Sequence, residues 1–223
     1  MPPWTPRGAK RPRTSFPRLG VALGFILLLD GAYLLGGFRA RACLEQWGIV
    51  WSACFLALPL ADVLASRGSL ASLGYRGDQS LRWTLWGILA GAVWRLVDVL
   101  TVFPLWGPQR WPGLGPLVAW GAWLLNALVV IPLLEETFFR GYLQEGLASW
   151  VPPWAAIGIQ AVLFACHPWH LAQGWVHWPS IFLFGVLAGW LRWRTGSLAG
   201  PWGAHATANA LPTLVLHIAG VPR

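Results

Sequence analysis

The chain has 223 residues, enough for one domain or at most two, and 56% of them are hydrophobic against only 11% charged. Soluble domains carry roughly a quarter charged residues, which excludes a water-soluble enzyme or binding module, and the abundance of apolar residues excludes a disordered chain. The net charge of +8 does not describe a nucleic-acid surface, because the basic residues are not interleaved with aromatics along a solvated face. Cys43, Cys54 and Cys166 lie in or beside apolar runs and offer neither a disulfide framework nor a CxxC zinc site. The composition is that of a multi-spanning membrane protein.

Residues 1–18 form a basic tail holding Arg7, Lys10, Arg11, Arg13 and Arg18. Apolar runs follow at about 19–38, 47–66, 83–106, 117–135, 153–169, 178–191 and 198–219. A hydrocarbon core of about 30 Å takes about 20 helical residues, and most runs reach that length; 178–191 is short and relies on flanking Trp and Arg. Helix is the only spanning choice, since an open strand leaves its backbone groups unpaired in lipid. The expected fold is therefore all-α, a polytopic transmembrane bundle of about seven membrane helices. Pro and Gly punctuate it at 107–116, 150–154 and 196–203. No A-x-A cleavage site follows the first run and Asp30 interrupts it, so it reads as an uncleaved span. The positive-inside rule places the tail and Arg67, Arg76 and Arg82 in the cytoplasm, with Arg39, Arg41 and Arg110 opposite.

Each ionisable residue within an apolar run is a functional hypothesis, because burying charge in lipid is costly. Arg95 and Asp98, three apart, share a helix face and read as a neutralising ion pair. Asp30 and Asp62 stand alone and suggest no specific role. A denser cluster begins in LLEETFFRGYLQEG. Glu136 and Arg140 are four apart and face each other on a helix; Glu135 points about 100° away and is left for proton chemistry. The alternative is a helix emerging into headgroups with all three charges solvated. Beyond the Pro152–Pro153 turn, LFACHPWH carries His167. Glu136 and His167 lie about 15 residues to either side of that turn, at matching depth if the helices pair antiparallel. His170 and His177, after Pro168, rank behind it. The last run adds His205 and Asn209, four apart on one face, either as reactive groups or as hydrogen-bonding glue between helices. Gly185 and Gly189 form a small-xxx-small step that reads as packing.

These stretches together resemble the CPBP family, the CAAX-processing and bacteriocin-processing intramembrane proteases that include the type II CAAX prenyl endopeptidases. Glu135-Glu136-Thr-Phe-Phe-Arg140 is similar to its EExxxR motif and His167 to its second-motif His. Phe184-Gly185-Val-Leu-Ala-Gly189 through Gly196-Ser197-Leu198, then His205-x-x-x-Asn209, are similar to the third and fourth motifs in order. One departure is that Phe164 stands three residues before His167, where the family usually has Phe four before. The resemblance covers about residues 115–215. It divides the chain into the basic tail 1–18, N-terminal transmembrane helices 19–114 and a catalytic helix bundle 115–219.

The resemblance implies an endopeptidase that hydrolyses a peptide bond of a membrane-associated protein or peptide. Glu135 would deprotonate a water that His167 helps to hold, and His205 and Asn209 would donate to the oxyanion, with Glu136 and Arg140 in support. No cofactor is expected; zinc on Glu and two His is the alternative, although HExxH is absent from the sequence. Rival classes are a non-catalytic scaffold or immunity factor and a small proton-coupled carrier. A carrier would favour inverted repeats, and none is visible. Fifteen Arg to one Lys hints at a GC-rich bacterial source, hence the inner membrane. There a peptide or protein-anchor substrate is favoured over a prenylated one.

Overall fold

A computed structural model describes residues 16–77, 80–101 and 117–218. The 107–116 connection with Arg110, and the basic residues before Phe16, lie outside the described residues. All described elements are helical. They are α1 (Phe16–Leu35), α2 (Gly37–Gln46), α3 (Gly48–Ala65), α4 (Ser80–Thr101), α5 (117–147), α6 (Pro153–Cys166), α7 (Pro168–Leu171), α8 (Trp178–Thr195) and α9 (Ala199–Ile218), with 3₁₀ turns at Leu70–Leu73 and Trp175–His177. Helix α5 is continuous but changes pitch, being π-helical at Asn126–Val130 and Glu136–Leu143.

Among the described residues, two helices, Ser80–Thr101 and Gly121–Leu147, are long and apolar enough to cross a membrane, while apolar helices at Leu19–Leu35, Val50–Ala65 and Pro153–Cys166 are shorter. The expected count of about seven spans is not confirmed by length and apolarity. Helix α6 shows the reason: its 14 residues rise about 21 Å. It stops at His167, which is extended (φ −57°, ψ 141°), as Pro168 favours for the residue before it. Helix α8 runs past the expected end at 191 to Thr195 and closes on Gly196, whose φ of 67° is left-handed.

Helices α4 and α9 make the most extensive pairing, through glycines. A Cβ on Gly91 would stand 2.8 Å from Ala204 Cα, and one on Gly203 would stand 2.6 Å from the Thr84 carbonyl. Gly91→Val should therefore push α9 from α4 and cost about 3 kcal/mol or more, as overpacking does where backbone must move. Thermal unfolding in detergent checks this against Gly20→Ala, whose added methyl meets nothing within 4 Å. Gly185 and Gly189 bring α8 onto α6 and α5 in the same manner. Their buried carbonyls accept from Gln160 Nε2 (2.8 Å) and Gln144 Nε2 (2.9 Å).

Arg95 and Asp98 pair at 2.6 Å, and Asp98 also accepts from Ser180. Arg95 has a second role. Pro212 lies within α9 and has no N–H, which deprives the carbonyl four residues earlier of its helical donor. That carbonyl, on Ala208, accepts from Arg95 Nε (3.0 Å) and Nη2 (2.8 Å). The guanidinium thus ties α4 to the middle of α9. Asp30 is buried in α1, and neither carboxylate oxygen has a hydrogen-bond partner among the described residues.

Candidate active site

The three charges of the Glu-rich segment are not solvated, since Glu135, Glu136 and Arg140 are all buried. Glu135 and Glu136 stand near the middle of the apolar Gly121–Leu147 helix, about 20 Å from either end. Arg140 Nη1 donates to Glu136 Oε1 at 2.9 Å, and its guanidinium carbon lies 4.1 Å from the centre of the Phe164 ring. These residues form a π-helical stretch, a geometry frequent at functional sites.

Four elements deliver the polar groups. From α9, His205 Nδ1 lies 2.6 Å from Glu136 Oε1; a carboxylate accepts, so Nδ1 carries the hydrogen. The other face of this imidazole turns to Glu135, with Nε2 at 3.7 Å from Oε2. His167 occupies the break between α6 and α7, walled by Trp51, Phe55 and Phe139 with ring centres 4.9, 5.2 and 6.0 Å away. Both His167 nitrogens and Glu135 Oε2 are buried without a hydrogen-bond partner among the described residues. Asn209, one turn beyond His205, donates to the Ala127 carbonyl at 3.4 Å.

His170, which sequence reasoning ranked behind His167, joins this group. The one-residue break at His167 turns the chain, and the short α7 returns His170 against Phe164, with ring centres 4.3 Å apart. Its Nδ1 lies 2.6 Å from the Phe164 carbonyl and its Nε2 3.8 Å from Glu135 Oε2. Pro168 is the available signal, since it favours extended backbone at His167. His177 is not among the groups around Glu135; it lies in the Trp175–His177 turn. Trp51 and Phe55, the wall of His167, carried no sequence signal beyond apolarity.

A cavity of about 80 Å³ opens beside the cluster, lined by His170, His205, Asn209, Arg95, Gln173 and Phe184 among others. Charge inside an apolar bundle must be balanced. Glu135 and Glu136 bring two negative charges against one on Arg140, so one further proton makes the cluster neutral. Because the His205 Nδ1 hydrogen is committed to Glu136, Nε2 can donate only when the ring carries both protons. One ligand atom each from Glu135, His167 and His170 lies within 4.8 Å of the others. Zinc bonds of about 2.1 Å set tetrahedral ligand atoms about 3.4 Å apart, so these residues would have to draw together from separations of up to 4.8 Å to hold the ion.

Residues 116–211 match the family of Rce1-like type II CAAX prenyl endopeptidases. No curated protein and no solved structure matches the chain.

Proposed function

We propose that this chain, which belongs through residues 116–211 to the membrane-embedded CPBP/CAAX protease family, hydrolyses a peptide bond of a membrane-associated substrate by Glu-activated water. At family level it is an intramembrane CAAX-type endopeptidase. The observation that carries the finer reading is the buried meeting of Glu135 with three imidazoles, where Glu135 Oε2 and both His167 nitrogens have no other partner among the described residues. A water bridging Glu135 Oε2 and one His167 nitrogen satisfies two of these atoms. The Glu135 carboxylate takes its proton as the oxygen attacks the scissile carbonyl, and His205 Nε2–H and Asn209 Nδ2–H donate to the oxyanion that forms. Glu136 fixes His205 through Nδ1, and Arg140 holds Glu136. Burial of the site among apolar helices suits a membrane-associated peptide or protein anchor, in a bacterial inner membrane with the N-terminus cytoplasmic.

Asn209→Ala should lower kcat by about 10²–10³, the loss typical of one oxyanion donor, with KM little changed. Cleavage of a quenched-fluorescence, lipid-anchored CAAX-type peptide in proteoliposomes measures this. Unchanged kcat in both Asn209→Ala and His205→Ala would remove the peptidase reading. Zinc on Glu135, His167 and His170 is a second reading favoured by the spacing of those ligands; bound there, the ion would act as a Lewis acid and make its water more acidic. Activity lost to a strong chelator and restored by zinc alone would select it.

A further inference from the structure

We infer that His170 is a further catalytic residue of this site, carrying the proton that Glu135 takes from water to the leaving nitrogen of the substrate. The inference rests on the peptidase reading. Glu135 is not in the cavity wall, whereas the two imidazoles nearest its Oε2, His170 and His205, both are. A proton held by Glu135 therefore reaches a substrate in the cavity most directly through one of them.

Their hydrogen bonds separate the two. His205 Nδ1 is held by Glu136 at 2.6 Å, and its Nε2 is already assigned to the oxyanion in the proposed reaction. His170 Nδ1 lies 2.6 Å from the Phe164 carbonyl. A carbonyl only accepts, so Nδ1 carries hydrogen and Nε2 of the neutral ring is a lone pair. That lone pair lies 3.8 Å from Glu135 Oε2, longer than a hydrogen bond and within the tightening expected when substrate binds. His167 is not in the cavity wall and packs among Trp51, Phe55 and Phe139.

Water loses a proton to the Glu135 carboxylate as its oxygen bonds to the carbonyl carbon, and the carbonyl electron pair moves onto oxygen. The proton passes from Glu135 to His170 Nε2. The oxyanion then reforms the carbonyl, the C–N bond breaks, and the departing nitrogen takes the proton from His170. Glu135 is again a carboxylate and His170 neutral.

An amide nitrogen leaves only when protonated, whereas an ester oxygen leaves with far less assistance. The test compares wild type and His170→Gln in proteoliposomes. The first probe is the lipid-anchored CAAX-type peptide; the second replaces its cut amide, mapped by mass spectrometry, with an ester. Expected is a fall in kcat of about 10² on the amide, within the range of a general acid, and a fall under about tenfold on the ester, whose cleavage also reports folding. Equal losses on both probes, or none on either, overturn the assignment to His170 alone. Stoichiometric zinc in the wild type that is absent from His170→Gln overturns it as well, making the residue a ligand. A wild type that cuts neither probe overturns the peptidase reading and this inference together.

Discussion

Glu135→Gln should lower kcat by about 10³ while the protein remains as stable as the wild type or becomes more so. The two halves have separate causes. Gln has the shape of Glu and cannot take a proton from water, and a positioned general base contributes typically 10²–10⁴ in rate. Stability is expected to hold because Glu135 Oε2 is buried without a hydrogen-bond partner among the described residues, and a buried charge so placed costs more than a neutral amide. Cleavage of the lipid-anchored peptide gives kcat, and thermal unfolding in detergent gives stability on the same preparation. Activity within tenfold of wild type sinks Glu135 as the base. Lost activity with an equally lost fold would make the residue structural. The pairing of an inactive enzyme with an intact fold is what separates this carboxylate from its neighbour Glu136.

The local part of this site was legible in sequence, and the part set by backbone breaks was not. The spacing of four between Glu136 and Arg140 predicts an ion pair on any helix, and the pair stands at 2.9 Å. The same spacing places His205 and Asn209 on one face, and both line the cavity. His170 was undervalued because a histidine after Pro168 looks like the start of a loop. The structure instead extends one residue, His167, and re-enters a helical turn, so that two histidines three apart both return towards Glu135. Hydropathy does not encode that reversal. Nor does it encode the π-helical pitch of Glu136–Leu143, which depends on what packs against α5. Arg95 shows a further kind of omission. Its ion pair with Asp98 was readable from spacing, but its bond to Ala208 required two facts from distant segments, an intrahelical Pro212 and the contact of α4 with α9. A proline inside a membrane helix frees a carbonyl, and an intramembrane arginine with donors to spare is the residue to look for beside it.

Arg140→Met should destabilise the fold by about 3–5 kcal/mol, the usual cost of removing one partner from a buried ion pair. The side chain is fully buried, and the loss has two parts. Glu136 keeps its charge with only His205 to neutralise it, and the guanidinium's contact with the Phe164 face at 4.1 Å disappears, an interaction worth up to about 2 kcal/mol when desolvated. Because Glu136 also holds His205 Nδ1, the damage passes from α5 to α9 and to the pocket they share. Glu136→Gln combined with Arg140→Met removes both charges, so the double variant should recover part of what the single one loses, as replacing a whole buried pair by neutral groups often does. The two single variants and the double form a thermodynamic cycle whose coupling energy isolates the pair, read from unfolding midpoints in detergent. A positive recovery of 1 kcal/mol or more is expected. Strict additivity would mean that the Glu136–Arg140 attraction within α5 does not stabilise the fold, and that Arg140 contributes through its packing on Phe164.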